Sequence, residues 1–190
     1  MNALTPDVES AIRLGLFTVM FALLALAELR WPRRNLSCSR AQRWTANLGL
    51  SLLNSLVLRM LIPVAGVAGA IWAADSGLGL FNHLAAPSWL EATLFILLFD
   101  LAIYVQHRLF HAVPLLWRLH RVHHSDEDYD LTTGNRFHPL SIALSALIKL
   151  VLVVTLGAPA LAVLLAELTL NIMSMSVSYT HLTLPTMFEV

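Results

Sequence analysis

Six of the eight histidines in this 190-residue chain fall between His107 and His138, and their spacing suits metal ligation. His107 and His111 are four residues apart, so on a helix they share a face and can hold one ion between them. A second stretch opens at Pro114 and carries His120, His123 and His124 at i, i+3 and i+4, again on one face, with Trp117 one turn earlier. His138 follows in Arg136-Phe137-His138-Pro139, where the proline would begin another helix. Neutral imidazole suits iron, copper, zinc and nickel, so ligand type alone does not choose the metal. Five or six imidazoles exceed the needs of one tetrahedral zinc and imply two ions. Asp100, Tyr104, His107 and His111 lie at offsets that return to nearly the same helix face, which casts Asp100, beside Tyr104, as an acceptor orienting a ring N–H. The alternative for Asp100 is a buried carboxylate held by Tyr104 or Arg59.

The elements that position these residues are membrane helices. The chain is 57% hydrophobic and 13% charged, against about 45–50% and about 25% for a soluble domain. Its twelve basic and twelve acidic residues cancel, which leaves no basic excess for a nucleic-acid partner. The single Cys38 excludes an internal disulfide. Ala11 to Leu29 is long enough to span a bilayer and lacks the basic start and small-residue end of a signal peptide. Trp44 to Ala74 contains Pro63 and is either one kinked span or a broken pair. Its polar stripe of Asn47, Ser51, Asn54 and Ser55, with Arg59 at the edge, belongs against other helices. Ser88 to Gln106 is the next span. Leu140 to Leu156 and Ala160 to Met175 follow, joined by a turn at Gly157-Ala158-Pro159, as two spans or a shallow hairpin. The expected fold is therefore all-α, a membrane helical bundle of four or five segments in one domain.

Arginines crowd two loops, Arg30, Arg33, Arg34, Arg40 and Arg43 in one, and Arg108, Arg118, Arg121 and Arg136 among the histidines, while Asp75 to Pro87 has none. By the positive-inside rule the histidines face the cytoplasm, and His83 is a solvated loop residue on the opposite side.

The stretch DLAIYVQHRLFHAVPLLWRLHRVHHSDEDYDLTTGNRFHP, beginning at Asp100, resembles the sterol desaturase / fatty acid hydroxylase superfamily of membrane di-iron enzymes. The resemblance implies two iron ions held by histidine boxes, O2 as co-substrate, and hydroxylation or desaturation of a sterol or fatty-acyl lipid drawn from the bilayer. Carried over, His107, His111, His120, His123 and His124 correspond to iron ligands, and His138 to a ligand or close neighbour. The chain shows no flavin, haem or nicotinamide motif, so electrons are expected from a ferredoxin, a cytochrome b5-like protein or a reductase docking on the basic loops. The expected location is a bacterial cytoplasmic membrane.

The resemblance also implies a further histidine box beyond the last hairpin. Residues 1–175 are thus expected to form a partial hydroxylase-like domain. Residues 176–190 are expected to be a non-native tail, since Val177 to Thr186 resembles a translated sequencing adapter, and His181 is left out of the site. A chain with this incomplete ligand set is expected to bind metal weakly and to show little or no turnover, an inactive form of the enzyme. The alternative functions are a membrane metal-binding or transport protein without redox chemistry, and an inactive structural fragment.

Overall fold

The computed structural model describes residues 6–32, 37–84 and 86–180. Arg33, Arg34, His181 and the rest of the expected tail beyond residue 180 lie outside the described residues. Seven α-helices make up the described chain: α1 Pro6–Arg30, α2 Arg40–Leu61, α3 Val67–Asp75, α4 Ser88–Ala112, α5 Pro114–His124, α6 Pro139–Leu156 and α7 Ala160–Thr180. Two short 3-10 turns, Leu80–His83 and Thr133–Asn135, complete the described elements.

Prolines set several boundaries. Pro114 and Pro139 each sit in the first turn of a helix, where a missing N–H costs nothing. Within the expected Trp44–Ala74 span the helix stops at Leu61, and Gly66, at φ 59°, turns the chain into α3. The segment is thus the broken pair, because Pro63 cannot donate to the ladder that would continue α2. At the far end of α6, Gly157 adopts the left-handed conformation (φ 64°) that closes the helix, in the turn read from Gly-Ala-Pro.

Three helices are long and apolar enough to cross a membrane, Val8–Arg30, Ser88–Ala112 and Pro139–Leu156, and Ala160–Ser176 is a shorter apolar helix. Their outward faces carry uncovered leucines such as Leu14, Leu23 and Leu26 on α1 and Leu97 and Leu101 on α4, the surface a bilayer would solvate. α2 is not among them; Arg40, Arg43, Asn47, Asn54 and Arg59 dilute its apolar content.

α7 packs against α1, α3 and α4. Phe95 and Phe99 of α4 meet Val163 and Leu164 of α7, Val153 of α6 and Val67 of α3 in one buried core. Polar ties cross this packing: Gln106 of α4 donates to Ser145 of α6 (2.6 Å), and Arg13 of α1 and Lys149 of α6 both pair with Glu167 of α7. The other end of α7 holds the loop that follows α5. Ser174 Oγ donates to the Gly134 carbonyl (2.7 Å), and a Cβ at Gly134 would stand 2.5 Å from the Ser174 carbonyl oxygen. Gly134→Ala must therefore push the loop off the helix, and we expect a loss of about 1–3 kcal/mol, read as a lower unfolding midpoint in detergent.

Candidate metal centre

α4 runs past its apolar portion to Ala112, so its last two turns present His107 and His111 together, their ring centroids 4.8 Å apart. Val113 is extended, and Pro114 restarts the chain as α5, which packs back on α4. That reversal brings the second histidine group to the first. His120 lies 4.9 Å, centroid to centroid, from each of His107, His111 and His124. One ligand atom from each of His107, His111 and His120 falls within 4.8 Å of the other two. The His124 ring is 4.9 Å from that of His111, and its Nε2 is 3.2 Å from His120 Nε2.

This donor set fits a metal ion. Ligand nitrogens about 2.0–2.1 Å from one ion stand roughly 3–3.5 Å apart, the spacing of the His120 and His124 Nε2 atoms; the wider His107–His111–His120 triangle needs only a small contraction. His120 is buried, stacked on Phe110, and burial with its imidazole neighbours pushes its pKa down to about 3. It is thus neutral at ordinary pH, the form that offers a lone pair. His107 and His111 are exposed.

His123 is oriented differently. Its ring stacks on Phe137 at 4.7 Å and 6°. Its Nδ1 is 3.1 Å from the Thr133 carbonyl oxygen, and its Nε2 is 2.7 Å from the Tyr129 hydroxyl. The carbonyl can only accept, so Nδ1 carries the proton and Nε2 must accept from the phenol. Burial and the Asp126 carboxylate raise the Tyr129 pKa to about 12, which keeps the phenol a donor. Burial likewise lowers the His123 pKa to about 4, against the opposing hydrogen bond to Thr133.

His138 caps α6, its Nδ1 accepting from Leu140 N at 3.1 Å, and among the described residues its ring touches none of the other five histidines. Asp100 and Tyr104 are exposed on α4, and neither has a hydrogen bond to an imidazole among the described residues. His83 lies in the Leu80–His83 turn, which packs on α6.

The loop from Ser125 to His138 contains residues whose part was not read from the sequence. Asp126, Asp128 and Asp130 alternate, and all three turn onto the start of α2 and the residues before it. Asp126 accepts from Arg43 (2.8 and 3.1 Å), Asn47 (2.9 Å) and Thr133 (2.6 Å). Burial alone would raise its pKa, but these donors outweigh burial and hold the carboxyl well below the usual range. Asp128 accepts from the Ser37 and Cys38 backbone N–H groups, and Asp130 from Trp44 Nε1 and Thr132. Arg136 closes the loop, donating to Val122 O, Asn47 Oδ1 and Ser125 Oγ. Arg43, Asn47 and Asp126 thereby fix where Thr133 and Tyr129 meet His123. The available signal was the alternation of aspartates right after His124, opposite a polar stripe on α2.

That stripe is only partly turned inward. Asn47 and Asn54 are buried, with Asn54 donating to Phe137 O, whereas Ser55 and Arg59 are exposed. Its buried asparagines hydrogen-bond to the histidine loop, while α2 itself also packs on α6.

Compared with known proteins, residues 92–189 match the family model described as fatty acid hydroxylase. The matched range runs from within α4 through α7, including every clustered histidine and part of the segment beyond Met175. No curated protein and no solved structure matches the chain.

Proposed function

The chain belongs to the fatty acid hydroxylase family, and on that premise we propose that it is an O2-dependent oxidoreductase that hydroxylates or desaturates a lipid at a histidine-held di-iron centre. The observation that carries this reading is the convergence of His107, His111 and His120 at the end of an apolar spanning helix. A lipid in the bilayer can reach such a position without leaving its solvent. His107, His111, His120, His123 and His124 would hold iron, with His138 as a sixth candidate. Bound iron would supply the oxidising power needed to break an aliphatic C–H bond, which no side chain has.

The chain's own residues do the positioning. His120 and His123 stay neutral and keep their lone pairs. Phe110, Phe137 and Trp117 flank the rings at 4.7–5.5 Å and restrict their rotation. Arg108, Arg118 and Arg121 are exposed on α4 and α5, a basic surface that suits an acidic electron-donor protein and a cytoplasmic orientation.

The test is to load the purified chain with iron in lipid vesicles, add a ferredoxin and its reductase, and analyse the lipids by mass spectrometry. We expect slow formation of hydroxylated or desaturated lipid that requires O2 and is absent from a His111→Ala variant. Product formation unaffected by that variant would mean that the oxidation does not occur at this centre, and tight zinc binding with no iron binding would favour a non-redox metal protein instead.

A further inference from the structure

Asp100 stands midway along the Ser88–Ala112 span, and its side chain is uncovered. Among the described residues it has no hydrogen bond and no ion pair, and Arg59, the cation that the sequence suggested as its holder, is exposed on α2 and not joined to it. Tyr104, one turn nearer the histidines, is also uncovered, as are Leu97 and Leu101. The other side of α4 is filled by Phe95 and Phe99 in the core. Seven residues separate Asp100 from His107, which on a helix is about 10 Å along one face. A carboxylate thus looks into the bilayer on the strip of surface that leads to the metal centre.

A charged group at that depth is costly unless something in the membrane answers it, and such groups mark substrate paths. An ionised carboxylate only accepts hydrogen bonds and repels another anion. The lipid that satisfies it therefore carries a donor and no negative charge. A hydroxyl group meets both conditions, and the carboxylate of a free fatty acid meets neither.

We propose that Asp100 receives the hydroxyl group of an uncharged lipid alcohol lying along α4, and so fixes which part of that lipid reaches His107 and His111. This inference rests on the metal-centre reading above and adds the substrate class to it. Leu101 and Tyr104 lie between the carboxylate and the histidines and meet the hydrocarbon part of the lipid. The carbon presented to the centre is then about 10 Å from the hydroxyl. The hydroxyl lies deeper than a free lipid's headgroup, a position that only a membrane-embedded acceptor makes favourable.

Equilibrium binding of radiolabelled 1-hexadecanol, hexadecanoate and hexadecane to the metal-free chain in lipid nanodiscs, with empty nanodiscs as the blank, tests this without reference to iron. The unaltered chain should bind hexadecanol about tenfold more tightly than hexadecane, the worth of one hydrogen bond to a charged acceptor, and hexadecanoate more weakly than hexadecanol. Asp100→Leu should abolish the advantage of the alcohol while hexadecane binding stays. Asp100→Asn, whose amide oxygen still accepts, should keep most of that advantage and admit hexadecanoate better. Displacement of hexadecanol by cholesterol, or by straight-chain alcohols alone, distinguishes a ring alcohol from a chain alcohol, and either supports the proposal. The comparison of the three probes on the unaltered chain stands even if the variants fail to fold. Equal binding of the three, preference for hexadecanoate, or an alcohol advantage unchanged in Asp100→Leu overturns the proposal and leaves the metal centre intact. A dimer lost in Asp100→Leu with alcohol binding unchanged would give the carboxylate to a second copy of the chain and overturns it as well. Failure to bind iron overturns the metal-centre reading and leaves alcohol binding at Asp100 standing.

Discussion

His120→Ala is expected to lower metal affinity by more than 100-fold, beyond the roughly 10–100-fold that loss of an outer partner costs, and to abolish lipid oxidation. Its ring meets those of four other histidines, His107, His111, His123 and His124, and it is the buried one of the three whose ligand atoms converge. Its removal leaves His107 and His111 as an exposed pair on one helix turn and His124 without the nitrogen 3.2 Å away. Metal content after dialysis, measured by mass spectrometry beside the unaltered chain, checks it. Retention of a full metal complement by the variant would mean that the centre is not organised around this residue.

Asp126→Ala is expected to cost about 3–5 kcal/mol of stability, because it leaves Arg43 buried with half of its carboxylate partners gone. The pair is nearly fully enclosed, and the same carboxylate also satisfies Asn47 and Thr133. Unfolding in denaturant would show the loss, with faster proteolysis between Ser125 and Pro139. The pH dependence has a definite sign. The folded carboxyl is held below its ordinary value, so its contribution is fully present above the unfolded pKa of about 3.9 and fades as pH falls below that. Asp126→Asn should lack this acid-sensitive share while keeping hydrogen-bonding capacity.

How much of this was legible depends on the sequence distance over which each part is decided. The pairing of His107 with His111, and of His120 with His124, follows from helical period alone, and the structure keeps both. The break after α2 was legible as an alternative because proline removes a donor at a known place. The loop was not legible: Asp126 is 83 residues from Arg43, Leu131 is 103 from Glu28 and Gly134 is 40 from Ser174, and no local pattern specifies such partners. Asp100 illustrates the opposite limit. Period places it on the face of His107, but that face is exposed at its level, and among the described residues no hydrogen bond joins Asp100 to an imidazole. Asn47 and Asn54 were correctly read as facing inward, yet what they meet is backbone and side chains of the loop, which sequence periodicity cannot reveal.

The central claim, that this histidine cluster holds iron, is tested most directly by Mössbauer spectroscopy of the metal-free chain reconstituted anaerobically with ferrous 57Fe in detergent. The prediction is high-spin ferrous iron in a nitrogen-rich environment, bound in the unaltered chain and lost in His120→Ala, with coupling between two irons once both positions are filled and oxidised. Iron that stays unbound, or that binds equally well in His120→Ala, would contradict it.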